Sequence, residues 1–115
     1  MTFEVRHYLT VSGADPFAEW LGALADRQAQ ARVQERIDRL ERGLLGDARF
    51  CGEGVWELRI DWGPGYRVYY ARSGEQVFLL LLGGDKRKQD ADIKQAKEYW
   101  NDYQQRTKTQ GKRSR

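Results

Sequence analysis

With 115 residues, 40% hydrophobic and 32% charged, the chain has material for one domain around a single modest core. Its 20 basic and 17 acidic residues give a net charge of +3, but residues 103–115 hold Arg106, Lys108, Lys112, Arg113 and Arg115 with no acid, so the remainder sums to −2. This excludes a uniformly basic nucleic-acid binder, the apolar run 77–82 is too short for a membrane span, and the lone Cys51 excludes an internal disulfide.

Residues 1–10 lack the charged start and apolar core of a signal peptide, so a cytoplasmic location is expected. In residues 2–9, Phe3, Val5, His7 and Leu9 alternate with Glu4, Arg6 and Tyr8, predicting a first strand whose His7 is a core or edge residue rather than a catalyst. Asp15 before Pro16 is a helix start, and Phe17, Trp20, Leu21 and Leu24 give that helix an apolar stripe. A second helix is predicted over 26–45, with Val33, Ile37, Leu40 and Leu44 facing inward and a solvated outer face dense in arginine and acid. Residues 47–54 read as a loop.

Three strands follow, joined by tight turns at 62–65 and 73–75, which makes them an antiparallel meander. Residues two apart on a strand share a side. Trp56, Leu58 and Ile60 therefore face one way and Glu57, Arg59 and Asp61 the other; across the turn, Tyr66, Val68 and Tyr70 oppose Arg67, Tyr69 and Ala71. Residues 77–82 do not alternate, as in a central strand covered on both faces. After Gly83 and Gly84 comes the basic turn Asp85 to Lys88, then a helix over 89–104 with Ile93, Ala96, Trp100 and Tyr103 in one stripe. The expected class is α+β, in the order β-α-α-β-β-β-α, with the helices on one side of an antiparallel sheet. Residues 1–104 form the domain, and 105–115 a basic, disordered tail.

The array Glu57, Arg59, Arg67 and Tyr69 has two readings from alternation alone: a solvated sheet face with cross-strand ion pairs, or an anion site suited to a phosphodiester. One histidine and one cysteine rule out a His/Cys metal cage, and the carboxylates lack Mg²⁺-site spacing, so neither metal nor cofactor is expected.

The strings VWELRIDWGPGYRVYY at 55–70, LLLLGGDKRKQDADI at 79–93 and AKEYW at 96–100 resemble the RelE/ParE superfamily of toxins from type II toxin–antitoxin modules, and within it the HigB-like branch of addiction-module killer proteins. The likeness runs through residues 3–102. It implies a metal-free endoribonuclease, an mRNA interferase acting at the ribosome, in which the ribose 2′-hydroxyl attacks the adjacent phosphate. By this resemblance Arg67 and Arg59 stabilise the phosphorane, and Lys86, with Arg87 or Lys88, contacts the phosphate or the leaving oxygen. Glu57 is either the general base or the residue that orients the arginines; the neighbouring cations favour its charged form, which argues against the base. Tyr69 would stack on a base or donate a proton late in the reaction. RelE-type sites carry a lysine-rich strand where this chain has Glu57 and Arg59, and a tyrosine where it has residues 90–93, which leaves the acid and base unassigned. The partners implied are a cognate antitoxin, the ribosome with its mRNA, and operator DNA only through the antitoxin; no membrane is implied. Two alternatives follow from the same resemblance: a non-enzymatic inhibitor of DNA gyrase, as in the ParE branch, and a non-cleaving antitoxin-binding corepressor.

Overall fold

Residues 2–113 are described by a computed structural model. In chain order the elements are β1 (Glu4–His7), α1 (Pro16–Ala23), α2 (Arg27–Glu41), β2 (Ala48–Gly52), β3 (Val55–Ile60), β4 (Tyr66–Ser73), β5 (Val77–Asp85), a 3-10 turn (Lys86–Lys88) and α3 (Gln89–Arg113). This is the expected α+β class with one strand more. The strands form a single sheet in the order β1-β5-β4-β3-β2, in which β1 runs parallel to β5 and the other pairs are antiparallel.

Local chemistry sets the helix ends. The Asp15 carboxylate accepts from the Ala18 amide at 3.0 Å, and Pro16 opens α1 where no amide is needed. Asp26 caps α2 through the Gln28 amide at 2.9 Å. The α2 stripe of Ala29, Val33, Ile37 and Leu40 is buried, but the helix stops at Glu41 rather than near 45. Gly43, at φ 81°, closes it: its amide donates to the Leu40 carbonyl and the Leu44 amide to that of Arg39. That two-bond motif needs a left-handed residue at the helix exit, and it turns Leu44 out into solvent, 54% exposed.

Residues 47–54 are not a loop. Ala48–Gly52 pairs with β3 from Ala48 opposite Leu58 to Gly52 opposite Val55. The hairpin turn passes through Gly52, Glu53 and Gly54, all at positive φ. Two glycines permit that turn, and they interrupt the alternation that would mark a strand.

The helices lie on both sides of the sheet, not one. Phe17 of α1 and Val33, Ile37 and Leu40 of α2 pack with Leu58, Ile60, Val68, Tyr70 and Leu80. On the opposite face Ala96 of α3, flanked by Ile93 and Trp100, covers Val55, Tyr69, Ala71, Leu79 and Leu81. The alternation therefore sorts β3 and β4 side chains correctly, yet much of the second face is apolar and covered by α3, with Glu57, Arg59 and Arg67 at one end of it. α3 also passes its expected end near 104, continuing to Arg113. Arg106 pairs with Asp102 at 2.8 Å and donates to the Leu9 carbonyl, and the Thr107 hydroxyl donates to the Tyr103 carbonyl at 2.7 Å. The expected disordered tail is thus helical through 113, and residues 114–115 lie outside the described residues.

Gly83 and Gly84 belong to β5, where neither can carry a side chain. A Cβ on Gly83 would stand 2.0 Å from the Trp20 ring on one face, and one on Gly84 would stand 2.0 Å from Asp92 Oδ2 on the other. Gly83→Ala is expected to cost about 1–3 kcal/mol through displacement of Trp20. Urea denaturation measures this, and a loss under about 0.5 kcal/mol, the range of a surface change, contradicts the packing described.

Candidate phosphate-binding cleft

β3 and β4 place Arg59 directly opposite Arg67. On one strand Glu57 lies two residues from Arg59, so three ionic groups share the end of the α3-side face. Glu57 is fully buried; its carboxylate stands 3.8 Å from Arg59 Nε and 3.9 Å from Arg67 Nε. The first residue of α3, Gln89, donates its amide to both Glu57 oxygens at 3.1 Å. Glu57 thus forms a floor beneath the two guanidinium groups, and the carboxylate balances like charges that β pairing forces together.

Arg67 is 92% buried by side chain and held from behind, its Nη1 donating to the carbonyls of Gly65 (3.2 Å) and Tyr66 (3.3 Å). Its buried Nε–H has no hydrogen-bond partner in the protein, since 3.9 Å to Glu57 is too long. Such a donor carries a desolvation cost unless something accepts from it, so it is available to an acceptor entering from outside the protein. Arg59 is more open, at 37%. The basic turn closes the third side: the Lys86 amide donates to the Gly65 carbonyl at 3.0 Å, and its side chain runs beside Gly65.

The result is a cleft of about 470 Å³ lined by Arg59, Arg67 and Lys86, with Asp47, Asp61 and the 63–65 turn completing its wall. All of these residues lie within 19–101, the segment that matches the family described as phage derived protein Gp49-like (DUF891). The chain belongs to the Gp49-like family. It is also 44% identical over 97 residues to an uncharacterized protein of Haemophilus influenzae, covering 84% of this chain and 92% of that one.

Within this Gp49-like chain, four expected site residues stand elsewhere than the sequence suggested. Glu57 is not on an open face but enclosed by Gln89 and the arginines. Tyr69 is wholly buried under α3, its hydroxyl without a partner and pushed far above the ordinary phenol range by burial, with Glu57 and Asp92 adding to it. It can neither stack on a base nor reach a reacting oxygen. Arg87 is exposed and tied to Asp85 at 2.8 Å, and Lys88 points into a separate shallow depression with Gln89 and Asp90. Neither lines the cleft, although Lys86 lines both. His7 is an edge residue, exposed and 2.7 Å from Asp15.

Gln89, Arg36 and Asp92 were not legible as site residues. Arg36 donates to the carbonyls of Arg59 (2.6 Å) and Leu45 (2.8 Å), tying α2 to the cleft wall. Asp92 rests on the space that Gly84 leaves, and Gly84 pairs with Arg67, so a glycine opposite the key arginine was the available signal. Burial raises the Asp92 carboxyl above its ordinary 3.8, partly offset by Lys88. The folded chain then binds this proton more tightly than the unfolded one. Its favourable contribution is fully present below the unfolded value and is lost as pH rises through the folded one. Asp92→Asn is expected to raise the melting temperature near pH 7 and to lose that gain near pH 3; an unchanged or lower melting temperature near pH 7 contradicts this. Among the described residues no group of three or more His, Cys, Asp or Glu is placed to hold a metal ion, and no helix is long and apolar enough to cross a membrane.

Proposed function

We propose that this chain is the toxin of an addiction module, of the HigB-like branch of the RelE/ParE superfamily, and that it cleaves mRNA at the ribosome. The convergence of Arg59, Arg67 and Lys86 on one cleft, with a buried Arg67 donor lacking an acceptor, carries this reading. Two planar forks side by side suit the equatorial oxygens of a phosphorane better than two flexible ammonium groups would.

In the reaction the ribose 2′-oxygen bonds to phosphorus and the bond to the 5′-oxygen breaks, giving a 2′,3′-cyclic phosphate and a 5′-hydroxyl. Arg67 and Arg59 stabilise the charge that gathers on the phosphate. Lys86, the exposed cation at the cleft mouth, supplies the proton to the departing 5′-oxygen. The 2′-hydroxyl proton passes to one of the carboxylates lining the cleft, Asp47 or Asp61. Glu57 positions the arginines from below and exchanges no proton with the substrate. A cognate antitoxin and the mRNA-loaded ribosome are the partners of this reading, and the cytoplasm is its location.

Purified protein added to a cell-free translation reaction tests it. New mRNA ends bearing a 5′-hydroxyl are expected by primer extension and end labelling. Intact mRNA, together with inhibited supercoiling by gyrase, would replace this reading by the gyrase one.

A further inference from the structure

The outer face of α2 looked like a solvated helix surface in the sequence, but the fold sets it against the cleft. Ile60 and Asp61 form one wall of the cleft and also line a second depression of about 230 Å³, whose other walls are Arg32, Glu35, Arg36 and Arg39. The two hollows share that wall, and together they present Arg59, Arg67, Lys86, Arg32, Arg36 and Arg39 against Asp47, Asp61 and Glu35. This excess of cations stands on a body that is otherwise slightly acidic.

These α2 arginines differ in what they have left to offer. Arg36 is spent on carbonyls of the cleft wall, and burial lowers its affinity for its proton. Arg32 is exposed and its guanidinium lies 3.9 Å over the Trp62 ring, which in turn is fixed by its indole N–H donating to Asp26 at 3.3 Å. That stacking pre-orders Arg32 while leaving its N–H groups at the edge. Arg39 is 49% exposed, and its acidic partner Glu35 is 3.9 Å away and itself 66% exposed, a weak pair. Arg32 and Arg39 are seven residues apart, so they lie on one helix face about 10 Å from each other.

We propose that the strand whose scissile phosphate occupies the Arg59–Arg67–Lys86 cleft continues over the Ile60–Asp61 wall onto α2, where Arg32 and Arg39 hold phosphates of neighbouring nucleotides. The proposal rests on the cleft being a phosphodiester site and adds a second, non-reacting subsite for the same single-stranded ligand. It makes the affinity depend on the length of the strand.

Fluorescently labelled single-stranded 2′-deoxy oligonucleotides, a dinucleotide and a hexanucleotide, are the probes, with anisotropy titrated over a series of salt concentrations. Wild type is compared with Arg32→Ala/Arg39→Ala, with Arg67→Ala, and with Arg27→Ala/Arg42→Ala, which removes the same charge elsewhere on or beside α2. The Arg32/Arg39 variant is expected to lower the hexanucleotide slope of log K against log salt by about 1.4, two contacts at roughly 0.7 each, and to leave the dinucleotide unchanged. The Arg27/Arg42 variant should behave as wild type. An unchanged hexanucleotide slope in the Arg32/Arg39 variant, or an equal fall in the Arg27/Arg42 variant, overturns the subsite while Arg67 dependence keeps the cleft. Absence of binding by wild type, or indifference to Arg67→Ala, overturns cleft and subsite together.

Discussion

Arg67→Ala is expected to slow mRNA cleavage about 100- to 1,000-fold, the loss that follows removal of one preorganised donor to a transition-state oxyanion. The position is demanding because three features meet there. Arg67 is nearly buried, so its charge is little screened; two backbone carbonyls fix its plane; and its Nε–H is unclaimed by the protein. Arg67→Lys keeps the charge but loses the fork, and should recover only a small part of the rate. Single-turnover cleavage, with circular dichroism to confirm the fold, reads both variants. Retention of growth arrest and of more than about a tenth of the rate by Arg67→Ala would contradict a phosphate-handling role.

The second large effect falls on stability. Glu57→Ala removes the acid that stands beneath two facing guanidinium groups and strips Gln89 of its acceptor. Breaking a buried ion pair from one side typically costs about 3–5 kcal/mol. The lower end is expected here, since both contacts are near 3.9 Å and Arg59 is 37% exposed, which screens its share. Chemical denaturation checks the value, and a loss below about 1 kcal/mol would show that the carboxylate is not needed to hold the arginines together. Glu57→Gln separates positioning from proton transfer. As a positioning residue its loss lowers the cleavage rate without changing the shape of the pH–rate profile; a base would take the acidic limb with it.

Much of this was legible from the chain itself. Alternation in residues 55–71 assigned β3 and β4 side chains to the correct faces, and Asp15–Pro16 marked the start of α1. The three cations of the cleft were legible too, because two come from paired strands and the third from the turn that leaves β5. What failed did so where a local pattern depends on a distant element. Tyr69 alternates with Arg67, so it looked exposed, but whether that face meets water is decided by α3, some thirty residues on. Alternation leaves Glu57 on an open face for the same reason, and Gln89 at the start of α3 covers it. Strand β2 leaves no pattern in the sequence, because ARFCG has no alternation and its turn is built of left-handed residues. The adjacent glycines of β5 looked like a strand end; they mark close approach by Trp20 and Asp92 from opposite faces, which one-dimensional spacing does not encode. The arginines of α2 acquire their meaning only when folding sets them beside Asp61.

A single oxygen atom decides whether the cleft supports internal attack. An mRNA is prepared with a 2′-deoxynucleotide at the mapped cleavage position and is otherwise unchanged, then presented to the protein on translating ribosomes. If the cleft stabilises internal attack by the 2′-oxygen, that position stays intact while the all-ribose message is cut. Cleavage of the deoxy-substituted message at the same bond would contradict attack by the 2′-oxygen.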